Sequence, residues 1–73
     1  MSKMITLMMD GRIPVEVDED EFELIKMMVE EVGAKDDFSK LKVVIDDLVG
    51  QGYKRPRAMQ LAVMSRHRLK GEA

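Results

Sequence analysis

The chain has 73 residues, no cysteine, and 12 basic against 14 acidic side chains for a formal net charge of −2. That length supports a single domain (residues 1–73) near the lower size limit for folding without staples, and the absence of thiols excludes disulfides and thiolate chemistry and suits a reducing, cytoplasmic setting. No apolar run approaches the roughly 20 residues of a membrane span, and the start around Lys3 lacks the length and cleavage site of a signal peptide, so no membrane partner is expected.

Met4–Met9 and Arg12–Val17 flank Asp10-Gly11, a dipeptide that favours a tight hairpin because a primed turn needs positive φ at both central positions. Ile13, Val15 and Val17 alternate with Arg12, Pro14 and Glu16, the period of a strand with one buried face. Pro14 cannot donate to a ladder, so this arm reads as an edge strand with residue 14 outward. The spacing thus predicts a hairpin over 4–17.

A helix over about 18–32 follows. Asp18 is a suitable N-cap, Glu21 stands three residues on, and an acidic first turn suits the helix dipole. Phe22, Ile25, Met28, Val29 and Val32 form its apolar stripe, widened by Leu24, and Gly33 stops it. A second helix over 37–49 is capped by Asp36 or Asp37, buries Phe38, Leu41, Val44, Ile45 and Leu48, and ends at Gly50. After Gly50-Gln51-Gly52-Tyr53, Pro56 fits the first turn of a third helix over 56–70, which carries Met59, Leu61, Ala62, Val63 and Leu69 inward. The fold class is α+β, an N-terminal β-hairpin and then three helices. Among eight methionines, Met4, Met8, Met27, Met28 and Met59 are expected to fill irregular gaps in the core, with an adaptable interface as the alternative.

Charge is sorted along the chain. Residues 10–37 hold eleven acids and three bases, whereas residues 53–70 hold six bases and no acid. Such a dipole orients a small protein on a partner and raises its association rate. The helix dipole explains part of the acidic cluster, and the remainder marks Asp18, Glu19, Glu23, Glu30 and Glu31 as a partner-binding face. Lys54, Arg55, Arg57, Arg66, Arg68 and Lys70 form a basic segment placed near nucleic acid or an acidic protein face. The C-terminal end of the helix dipole accounts for Arg66, Arg68 and Lys70, but not for Lys54, Arg55 and Arg57 at the opposite end.

Catalysis has no signature. The lone histidine, His67, is two residues from Ser65 on a helix, so the two point to different sides. One histidine and no cysteine leave zinc without ligands, and Asp18-Glu19-Asp20-Glu21 lacks calcium-loop spacing. No enzyme, metal or cofactor is expected. A helix, a glycine-containing turn and a basic helix match a helix-turn-helix in outline, with Arg57, Gln60, Met64 and His67 along one face of the third helix. A small DNA-binding regulator is therefore the runner-up function. Against it stand the overall acidity and the clustered carboxylates, which repel phosphates.

Two resemblances add to this reading. Leu7, Asp10-Gly11, Val15–Val17 and Ile25-Lys26-Met27-Met28 followed by Gly33 resemble in order and spacing the opening hairpin and helix of the Skp1/elongin C (BTB-like) fold. That resemblance covers under half of the chain and implies a protein–protein adaptor as a further alternative. The size, methionine content and polarised charge are similar to those of small phage-encoded regulators that bind host RNA polymerase, of the type found in a lytic Xanthomonas phage. This resemblance implies a non-enzymatic protein in the host cytoplasm. Such a protein grips an RNA polymerase subunit and modulates initiation or termination, including antitermination, with DNA or RNA near its basic segment.

Overall fold

Alternation of apolar side chains lays down the first element of the structure, a computed structural model describing residues 3–9 and 11–71. Strands β1 (Met4–Met9) and β2 (Ile13–Asp18) pair antiparallel from Met4 opposite Asp18 to Met9 opposite Ile13. One face of the pair carries Ile5, Leu7, Met9, Val15 and Val17 toward the core, and the other carries Met4, Thr6 and Met8 to solvent. Gly11 has a φ of 72°, and the Arg12 N–H donates to the Met9 carbonyl at 3.1 Å. Asp10 lies outside the described residues. The pairing leaves three residues between the strands rather than the two of a primed hairpin, so the register differs by one from that turn.

Helix α1 (Glu19–Glu31) begins where the sequence asks for it, with the Asp18 carboxylate accepting from the Glu21 N–H at 3.1 Å. Its end is a Schellman turn: Ala34 N–H donates to the Val29 carbonyl at 2.9 Å and Gly33 N–H to the Glu30 carbonyl at 3.1 Å. The second helical segment departs from the expected 37–49. Asp37 accepts from both the N–H and the hydroxyl of Ser39, which winds Phe38–Lys40 into a 3₁₀ turn before α2 (Leu41–Gly50). The tighter winding, three residues per turn, rotates Phe38 off the stripe of Leu41, Val44 and Leu48. Phe38 is 60% exposed instead of buried, with the Arg66 guanidinium 5.2 Å from its ring. Gly50 does not stop α2 but closes its last turn. Tyr53 N–H reaches the Leu48 carbonyl and Gly52 N–H the Val49 carbonyl, each at 3.1 Å, so Gly52 is the reversing residue. Helix α3 (Arg55–Gly71) then runs with Pro56 in its first turn, where a missing N–H is harmless.

The core gathers Val15, Val17, Phe22, Ile25, Val29, Ala34, Leu41, Val44 and Leu48 against Ala58, Leu61, Ala62, Met64 and Leu69 of α3. Small residues at Ala58, Ala62 and Ser65 allow α3 to lie close against its neighbours. Met59 and Val63, expected inward, face solvent, because the buried stripe of α3 runs through positions 58, 61, 62, 65 and 69. Four of the five methionines expected as core filler (Met4, Met8, Met27 and Met59) are exposed, as are Ile13 and Leu24, and only Met28 is partly buried. No helix among the described residues is long and apolar enough to cross a membrane.

Candidate functional site

The outer face of α1 is built by helical spacing alone. Asp20, Leu24, Met27 and Glu31 follow at intervals of four, three and four and share the solvent side, with Glu23 and Glu30 on one flank. Leu24 and Met27 are 62% and 56% exposed, so two apolar side chains stand on this face with carboxylates at both ends and along one flank. The acids proposed from sequence are not equivalent. Asp18 is occupied as the N-cap, Glu19 is half-buried, and Glu23 pairs with Lys26 at 3.3 Å. Glu21 faces the partly buried Tyr53. There burial first, and then the hydrogen bond and charge of Glu21, push the phenol's pKa up to about 12, with Asp18 adding to the rise and Arg57 opposing it. Glu30 and Glu31 remain. They are exposed, lack an ion pair or side-chain hydrogen bond among the described residues, and sit in the last turn of α1, which holds no basic residue. Negative charge there opposes the helix dipole, so helix stability does not account for it.

Sequence reasoning missed the centre of this face. The apolar pattern alone places Leu24 on the core stripe and Met27 among the core filler, and only the packed arrangement turns both outward. Lys26 is the converse: a lysine on an exposed-looking stretch whose side chain lies 11% exposed beside Glu23. The signal that could have found it is its angular place on α1, next to the buried Phe22 and Val29 rather than opposite them.

The basic segment is largely committed to the fold. Arg57 Nη2 donates to the Glu16 carbonyl at 2.8 Å and Nη1 to Gln60 Oε1 at 3.1 Å. Arg66 Nε donates to the Ala34 carbonyl at 2.8 Å, and Arg55 pairs with Asp46 at 3.1 Å. Arg66 therefore fixes the α1 end, and Arg57 ties α3 to β2. Lys54, Arg68 and Lys70 are exposed without such partners among the described residues. The face that a helix-turn-helix would present to bases is not open: Arg57 and Gln60 are engaged with the hairpin, and Met64 is buried. Only His67 of that set faces solvent.

Ser65 and His67 do diverge. Ser65 is fully buried and its hydroxyl has no partner among the described residues, while His67 is exposed. No three His, Asp or Glu side chains gather as they would around a metal ion among the described residues. A cavity of about 500 Å³ opens between β1 and α3, lined by Leu7, Met8, Met9, Phe22, Val63, Met64, His67, Arg68 and Gly71. Its lining is mainly apolar, with His67 and Arg68 at the α3 side. No protein-family model, no curated protein and no solved structure matches the chain.

Proposed function

We propose that this chain is a non-enzymatic regulatory protein that docks on the transcription machinery, with an RNA polymerase subunit as its partner, and modulates initiation or termination. The observation that carries the reading is the outer face of α1. Glu30 and Glu31 stand unpaired among the described residues where the helix dipole disfavours them, beside exposed Leu24 and Met27. Charges that work against their own helix are expected where function selects them. An apolar pair flanked by carboxylates fits a basic protein surface, where the charges speed encounter and the apolar pair supplies contact area.

The class of partner comes from the likeness in size and charge layout to phage-encoded RNA-polymerase-binding regulators. Lys54, Arg68 and Lys70, exposed at the two ends of α3, would then lie near nucleic acid held by the polymerase. The DNA-binding alternative loses support from the commitment of Arg57 and Gln60 to the hairpin. The test is retention of purified bacterial RNA polymerase by the immobilised chain, paired with a DNA mobility shift at low and moderate salt. Retention without a shift is the expected result. A shift without retention would replace the proposal with the DNA-binding reading.

A further inference from the structure

The sheet has two strands, and their two outer edges are treated differently. The edge of β2 is guarded. Pro14 has no N–H to offer, and the Glu16 carbonyl is taken by the Arg57 guanidinium at 2.8 Å. The edge of β1 has neither device. Met4-Ile5-Thr6-Leu7-Met8-Met9 holds no proline and no charge, and nothing among the described residues bonds to its outward backbone groups. A cavity lies along three consecutive residues of the strand, Leu7, Met8 and Met9, with α3 on its far side. Folded proteins blunt exposed strand edges with charge, proline or a covering element.

We propose that β1 pairs antiparallel with β1 of a second copy of this chain, giving a four-stranded sheet with the two β1 strands at its centre. The strand is written for this. Met4-Ile5-Thr6-Leu7-Met8 has the same chemical order read in either direction, methionine, aliphatic, threonine, aliphatic, methionine. A twofold axis through Thr6 therefore sets Met4 opposite Met8 of the other copy and Ile5 opposite its Leu7. A twofold interface must be self-complementary in this way. The pairing covers Met4 and Met8, now 59% and 56% exposed, and an uncharged edge brings no like charges together. The proposal is independent of the RNA polymerase reading, since the outer face of α1 plays no part in it.

Sedimentation equilibrium of the full chain over a rising concentration series tests this directly. The wild type is expected to shift from monomer to dimer, with an affinity in the micromolar to millimolar range suited to a small interface. Met4→Lys/Met8→Lys sets lysine against lysine twice and should weaken the dimer about tenfold or more. Met4→Lys/Met8→Glu sets lysine against glutamate twice and should recover it. Both positions face solvent in the monomer, and unchanged urea midpoints at low concentration would show that the fold is intact. On unmodified protein, exchange protection of the outward β1 amides should rise with concentration. A wild type that stays monomeric to millimolar concentration overturns the proposal. So does a dimer that Met4→Lys/Met8→Lys leaves unchanged, or one that the lysine–glutamate variant fails to recover.

Discussion

Ser65 has a fully buried hydroxyl without a hydrogen-bond partner among the described residues, in the middle of α3. A buried polar group left unpaired costs about 1–3 kcal/mol, and alanine is the better helix former. Ser65→Ala is therefore expected to raise stability by about 1 kcal/mol, read from the urea midpoint. A lower midpoint would show that the hydroxyl is satisfied or fills essential space. The two phenylalanines should behave in opposite ways. Phe22 is buried in the core, and its truncation to alanine should cost about 3–5 kcal/mol, enough to leave so small a domain largely unfolded. Phe38 is exposed under Arg66, so Phe38→Ala removes a surface cation–π contact and should cost about 1 kcal/mol or less. Equal losses for both would place Phe38 in the core after all.

At the scale of elements, what could be read ahead was what local chemistry decides. The Asp18 cap and the stop at Gly33 bound α1 because each is fixed by residues within one turn. The hairpin strands follow from alternation, although the connection is one residue longer than the Asp10-Gly11 pattern suggests. What could not be read depends on competition. Ser39 offers Asp37 two donors, and that choice between 3₁₀ and α winding decides the fate of Phe38. The outward positions of Leu24, Met27 and Met59 depend on which side of each helix its neighbours cover, which no single helix records. The end of α2 makes the same point and can be tested. Gly50 is helical with open space around a Cβ, whereas Gly52 has a φ of 110° and reverses the chain. Gly50→Ala should then stabilise by about 0.5 kcal/mol and Gly52→Ala destabilise by about 1 kcal/mol or more. Two midpoints moving in the same direction would contradict the assignment of Gly52 as the stop.

Across the molecule, the half-buried Tyr53 of the α2–α3 turn feels the carboxylate of Glu21 at the start of α1. Its folded pKa of about 12 lies above the ordinary 10.0, so between these values the unfolded chain has released a proton that the folded chain keeps. Stability from this group is fully present below pH 10 and falls as pH rises toward 12. Lysines titrate in the same range, so the difference between wild type and Tyr53→Phe isolates the effect. The wild type should lose stability more steeply over that window, and parallel pH profiles would show that the phenol is not held protonated.

The larger consequence of the fold is a division of charge. Most arginines of the basic segment are spent tying α3 to the hairpin, to α2 and to the end of α1, while the last-turn acids of α1 have no ion pair or side-chain hydrogen bond among the described residues. Glu30→Lys/Glu31→Lys separates stability from function, because it replaces charges that the helix dipole disfavours with charges that it favours. The decisive measurement is the association rate of this variant and of the wild type with RNA polymerase at low and moderate salt. The variant is expected to be at least as stable as the wild type, to associate about tenfold more slowly at low salt, and to show a flatter salt dependence. Equal association rates and equal salt dependence for the two proteins would contradict this expectation.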